Sequence, residues 1–305
     1  MSINKILVAV DFSPESSEAV SQAMDVARHC GAELVLLHVG SVPTMPLGTP
    51  DSMAATVSEY YEILQSHLTR DRQQLEELRQ RLSGQGVVVS HVVIDGFADR
   101  AICDAADQMD ADVISLGTHG RTGFKRVVLG SVAEKVVRLS GRDVLVARPG
   151  SRCRGGYERI CVGTDFSEIS ERALERALAV AAQGARIDLV HAWLLPPMSN
   201  AYIVSDDLAG PVRESIRAAA LASGAALVDK YRRPGLALTF HEIEQAAARG
   251  LQQWLGEHTY DLAVVGSHGL RGFRRWILGS VAEVTVRHAP CSELVAHGGR
   301  DGTPQ

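Results

Sequence analysis

The chain has 305 residues, 46% of them hydrophobic and 22% charged, with a formal net charge of -5. At ~150 residues per domain this composition implies two compact globular units rather than a disordered chain. A net negative chain without a long Lys/Arg block repels a phosphate backbone, and aromatics at only 5% make a poor base-stacking platform, so nucleic acid is not an expected partner.

The first apolar run, Ile6 to Val10, meets Asp11 at once. It is too short for a signal or membrane-spanning segment, so no membrane partner and a cytoplasmic location are expected. Strands are predicted over 5–11, 32–39, 87–95, 111–117 and 143–147, alternating with helical patterns. Ser13 is a predicted N-cap with Pro14 at the first helical position, followed by Ala19, Val20, Ala23, Met24 and Ala27 at helical spacing. A second helix is expected over 53–83, with Arg70, Asp71, Arg72, Glu76, Glu77 and Arg79 on a solvated face. Near Arg148 to Tyr157, Pro, Gly and Arg replace the periodic hydrophobics, marking a junction. Beyond it the pattern recurs, with strands predicted over 159–165, 186–193, 236–244, 260–266 and 292–296 and a helix over 207–231. Ser167 takes the N-cap position, ahead of a stripe of Ala173, Leu174, Ala177, Leu178 and Ala181. Cys30, Cys103, Cys153, Cys161 and Cys291 form no C-x-x-C pair and read as reduced thiols.

The recurrence is a sequence repeat. Leu116 to Ala147 aligns without gaps to Val265 to Ala296 with 17 of 32 positions identical, and KILVAVDFS at Lys5 matches RICVGTDFS at Arg159. The expected organisation is therefore two domains, 1–150 and 151–305, each a five-stranded α/β unit with a largely parallel sheet. In such a sheet, ligands sit outside the carboxyl ends of the strands where the strand order reverses. If strands one and four of each copy are neighbours, Asp11 and Gly117 border one crevice, and Asp165 and Gly266 border the other.

After strand four each copy carries two glycines, nine residues, and then Gly-Ser: Gly117, Gly120, Gly130 and Ser131, then Gly266, Gly269, Gly279 and Ser280. Glycines let a ligand approach main-chain N–H groups, and a helix start favours phosphate. Two structural readings compete. Ser131 with Glu134, and Ser280 with Glu283, fit capping boxes, and the Asp residues fit turn roles. Neither a Walker A loop nor a G-x-G-x-x-G after strand one is present.

The doubled G-x2-G-x9-G-[ST] pattern, each time behind an Asp-containing turn, resembles the ATP-binding class of universal stress proteins over essentially the whole chain. The resemblance implies Rossmann-like domains of strand order 3-2-1-4-5. It implies that Asp11 and the backbone at Val39 hold adenine and ribose, while Gly117, Gly120, Gly130, Ser131 and Val132 hold phosphates. The matching positions in the second copy are Asp165, Ala192, Gly266, Gly269, Gly279, Ser280 and Val281. The implied cofactor and partner is an adenine nucleotide, ATP, with or without Mg2+. The implied role is stress-response regulation, and the implied assembly is an intramolecular pseudo-dimer, with a further homodimer left open.

The copies differ. Gln245 replaces Gly96 after strand three, Trp276 stands for Val127, and Glu293 for Val144. The second site is therefore expected to be the weaker. His119 and His268 lie inside the glycine loops, where loop hydrogen bonding competes with acid/base chemistry, and Arg121, Lys125, Arg126, Arg271, Arg274 and Arg275 face either phosphate or solvent. Two alternatives to a nucleotide-binding regulator are a slow ATP hydrolase or nucleotidyl-transfer enzyme, and a module for another ligand. No catalytic or metal-binding residue is assigned.

Overall fold

The computed structural model describes residues 2–40, 53–119, 129–151, 153–195, 206–268 and 278–298, with side chains described from 65 and 210 onward in the two longest helices. The first copy runs β1 (Lys5–Ala9), α1 (Pro14–Cys30), β2 (Glu33–Gly40), α2 (Met53–Leu82), β3 (Val89–Asp95), α3 (Ala98–Gln108), β4 (Val113–Gly117), α4 (Ser131–Leu139) and β5 (Asp143–Ala147). The second runs β6 (Tyr157–Gly163), α5 (Glu168–Val180), β7 (Ala181–Trp193), α6 (Asp206–Tyr231), β8 (Ala237–Glu244), α7 (Ala247–Glu257), β9 (Leu262–Gly266), α8 (Ser280–His288) and β10 (Ser292–Ala296). These follow the predicted elements closely. The largest departure is β7, which starts directly where α5 ends because Ala181 pairs with Tyr157 ahead of a register shift to Arg159 and Arg186.

Within each copy the strands are parallel and ordered 3-2-1-4-5, as expected from βαβ units whose crossovers keep one hand. The two sheets are not separate. β5 and β10 pair antiparallel, Val144 with Val295, Leu145 with Leu294 and Val146 with Glu293, and join them into one ten-stranded mixed sheet. Val144, Val146, Leu294 and Val295 thus lie at the contact of the implied pseudo-dimer.

Alternation along the strands fills two cores, each running through both copies. Ile6, Val8, Leu34, Leu36, Ile160, Ile187 and Leu294 face α1, α2, α5 and α6. Leu7, Val35, Leu37, Ile114, Val144 and Val295 face α3, α4, α7 and α8. Each fully buried Leu or Ile contributes about 1.5–3 kcal/mol of transfer free energy, and the strands stay in register because a one-residue slip would turn the set outward.

One predicted surface reading needs correction. Asp71 is not simply solvated: its carboxylate lies 3.3 Å from Nε2 of the buried His38. Glu293 is fully buried at the contact, 3.0 Å from Arg148, and burial pushes its carboxyl well above the usual carboxylate range despite that cation. The thiols are free, and burial raises those of Cys153 and Cys291 to about 12.

α6 is seated on β8 by Gly224, where a Cβ would stand 2.3–2.5 Å from the Phe240 ring. Ala in a helix interior normally gains about 1 kcal/mol over Gly, whereas overpacking costs about 1–3 kcal/mol. At so short a distance the clash wins. Gly224→Ala should lower stability in denaturant melts, and Phe240→Leu in the same chain should recover part of the loss.

Candidate functional site

β1 lies between β2 and β4, so the chain turns one way from β1 to β2 and β3 and the other way to β4 and β5. The reversal falls between β1 and β4, which pair from Ile6 and Val113 to Val8 and Ser115, and between β6 and β9 in the second copy. The carboxyl ends of these pairs therefore open the crevice where such sheets bind ligands. Asp11 and Gly117 reach it in the first copy, and Asp165 and Gly266 in the second.

β1 ends at Ala9, so Asp11 stands two residues beyond the strand in a strained turn. Phe12 has φ 62° and Phe166 φ 63°, left-handed values that an aromatic residue seldom adopts. The turn brings Asp11 Oδ1 to accept from Ser13 N at 3.0 Å and Ser13 Oγ at 2.6 Å. Asp165 Oδ1 accepts from Ser167 N at 3.1 Å and Oγ at 2.5 Å. One oxygen of each carboxylate thus has the turn role weighed above. Ser13 and Ser167 are N-caps, each accepting from the N–H three residues on.

Sequence reasoning missed the brace beneath this turn. His38 Nδ1 donates to Val10 O at 2.6 Å and its ring lies 4.9 Å from Phe12. His191 Nδ1 donates to Thr164 O at 2.8 Å, 4.6 Å from Phe166. Its signal was a histidine near the end of strand two in both copies.

β2 outruns β1. Their pairing stops at Ala9 and Leu37, while β2 continues beside β3 as far as Gly40 and Asp95. Val39 consequently borders the crevice with its backbone. Ala192 does so on β7, which continues to Trp193 after pairing with β6 stops at Gly163 and Val190.

Gly117 has a packing reason to be glycine. A Cβ there would stand 2.7 Å from the carbonyl carbon of Glu15 in the first turn of α1, and one on Gly266 would stand 2.6 Å from Ile169 Cγ2. Gly130 N donates to Thr118 O at 2.7 Å and Gly279 N to Ser267 O at 2.8 Å, tying the start of each following helix to the end of its strand.

The capping boxes are not formed. Gly130 and Gly279 are the N-caps, with no side-chain cap hydrogen bond, and Ser131 and Ser280 are the first residues of the helices. The physical reason is the tie just described. It places the extended cap conformation on the glycine, one residue early, and the serine enters the helix. Glu134 turns instead to Arg138 and Arg287. Ser131, Val132 and Ser280 are exposed and Val281 half-buried.

His119 Nδ1 lies 3.1 Å from Thr118 Oγ1 and His268 Nδ1 lies 2.9 Å from Ser267 Oγ, so both make the loop hydrogen bond. Among the described residues, the buried Nε2 of each has no hydrogen-bond partner. Gln245 turns onto α7, donating to Gln253 at 3.1 Å. It lies beside Gly250, whose added Cβ would meet Ala192 Cβ at 3.0 Å and Gln245 Cβ at 3.3 Å. Gly120, Gly269, Val127, Trp276 and the loop cations Arg121, Lys125, Arg126, Arg271, Arg274 and Arg275 lie outside the described residues. Among the described residues, no group of three or more His, Cys, Asp or Glu could hold a metal ion, and no helix is long and apolar enough to cross a membrane.

Comparison with known proteins extends this geometry. A universal stress protein of Mycobacterium tuberculosis is 27% identical over 314 residues, covering 95% of this chain and 94% of that relative. A universal stress protein of Methanocaldococcus jannaschii is 28% identical over 153 residues, spanning 47% of this chain and 94% of its own length, so it corresponds to one copy. The crystal structure of a universal stress protein from Archaeoglobus fulgidus superposes with a TM-score of 0.68 over 98% of this chain and 100% of that one, at 22% identity, and so shares the tandem fold. The model of the universal stress protein family matches residues 2–148 and again 156–297, and the chain accordingly belongs to that family as a tandem two-domain member.

Proposed function

We propose that the chain binds an adenine nucleotide, ATP, at the carboxyl ends of β1 and β4, more weakly at those of β6 and β9, and acts as a stress-response regulator through the difference between its loaded and empty states. The observation that carries this reading is the uncapped helix start. Ser131 and Val132 sit exposed at the first turn of α4, and among the described residues no side chain caps it. The N–H groups of a helix's first turn and the positive end of its dipole favour phosphate there. The free backbone edge at Val39 suits adenine, and Asp11, an acceptor-only group, suits ribose hydroxyls. Gly120 belongs to the same cradle by sequence. The second copy offers Asp165, Ala192, Gly266, Gly269, Gly279, Ser280 and Val281, but with Gln245 in place of the first copy's Gly96, and Gln245 and Ala192 both bordering Gly250. Mg2+, where present, would be carried by the phosphates, whose charge it offsets.

Calorimetry with ATP should find the first site dominant. Gly130→Val should abolish most binding and Gly279→Val little of it, whereas equal halves lost in each would remove the asymmetry. Ser131→Ala separates phosphate contact from capping. Affinity for ATP should fall about fivefold, or about 1 kcal/mol for one hydrogen bond, with affinity for adenosine and the melting temperature unchanged. A lowered melting temperature would instead restore the capping role.

Main-chain donors that hold ground-state phosphates do not by themselves accelerate hydrolysis. Turnover should stay well below ~1 per second, an ordinary enzymatic rate. Faster turnover, lost in His119→Ala with binding intact, would favour a hydrolase built on His119.

A further inference from the structure

Along the seam between the copies, positions equivalent in the repeat carry different chemistry. Counted from the Asp-Phe-Ser turns, Glu18 and Gln22 on α1 correspond to Arg172 and Arg176 on α5. In the gapless alignment, Asp143 on β5 corresponds to Ser292 on β10. Side chains of each helix reach the opposite copy's last strand at one of two corners related by the pseudo-twofold. At one corner Arg176 Nε donates to Asp143 Oδ2 at 2.5 Å, and Arg172 stands 3.6 Å from the same oxygen. At the other, Ser292 Oγ donates to Gln22 Oε1 at 2.8 Å, and Gln22 Nε2 donates to Glu18 at 2.8 Å. Asp143, Arg176, Gln22 and Ser292 are all at least 97% buried. The backbone scaffold is the same at both: His297 N donates to Asp143 Oδ1 and Arg148 N to Ser292 Oγ, each at 2.8 Å.

We propose that this seam is a heterotypic recognition surface, which accepts the chain's own other domain and rejects a second copy of either domain. Pairing two first domains would set Glu18 and Gln22 against Asp143, burying a carboxylate opposite another carboxylate and an amide. Pairing two second domains would set Arg172 and Arg176 against Ser292, burying guanidinium charge with no anion. A buried charge without its partner is heavily penalised. Two further contacts bias the choice the same way: Arg148 to Glu293 at 3.0 Å, and Tyr157 Oη donating to Gln22 at 3.1 Å, both between domains. The seam therefore keeps the tandem chain folded back on itself and out of assembly with other copies through these strand edges. This inference does not depend on nucleotide binding.

Exchanging the strand residues alone reverses the pattern. In the full chain, Asp143→Ser with Ser292→Asp leaves each domain complementary to itself and mismatched with its neighbour. Relative to wild type, this variant should melt at lower temperature and associate with rising concentration in sedimentation velocity. Adding Glu18→Arg, Gln22→Arg, Arg172→Glu and Arg176→Gln restores complementarity within the chain, and should return both the melting temperature and the single-chain species. The proposal is overturned if the strand exchange leaves stability and assembly unchanged, or if the helix exchange fails to recover what the strand exchange loses.

Discussion

The antiparallel pairing of β5 with β10 is the constraint on which the rest depends. Three residue pairs convert two sheets into one and cover an edge that each copy would otherwise expose. Because the strands meet antiparallel, α1 and α5 lie side by side over β5 and β10, and each sends side chains across to the other copy's last strand. The seam is therefore stabilised by side chains from both cores as well as by ladder hydrogen bonds. Duplication supplied two equivalent corners, and substitution made one charged and the other neutral.

The same sheet fixes where chemistry can occur. The order 3-2-1-4-5 in each copy places one reversal between β1 and β4 and one between β6 and β9. At each reversal a strained turn, a strand that outruns its neighbour and an uncapped helix start converge. The histidines near the ends of β2 and β7 fix the carbonyls of Val10 and Thr164, so the Asp turn is held from below. The strain in Phe12 and Phe166 is offset by this packing, as expected where a fold holds a site in advance of its ligand.

The fold was legible in the sequence because period-two apolar runs, helical stripes and a long gapless repeat all pointed one way. Some features were not legible. Ser131 and Glu134 match a capping box by spacing alone, yet a single hydrogen bond from Gly130 to Thr118 shifts the cap by one residue, and local sequence does not encode that bond. Asp71 reads as surface until His38, on a strand far away in sequence, is placed beside it. The bracing histidines were readable only as a recurrence near the end of strand two. The pairing of Arg176 with Asp143 joins residues from different repeats, which no local pattern brings together.

The central claim is that these crevices hold an adenine nucleotide. It is tested most directly by native mass spectrometry of the full chain, purified without added nucleotide and again after incubation with ATP, followed by denaturing extraction to identify what is released. The account predicts a mass increment of an adenine nucleotide, released on denaturation and strongly reduced in Gly130→Val. A chain that carries no adenine nucleotide under either condition, or that releases a different ligand from the same crevice, would contradict it.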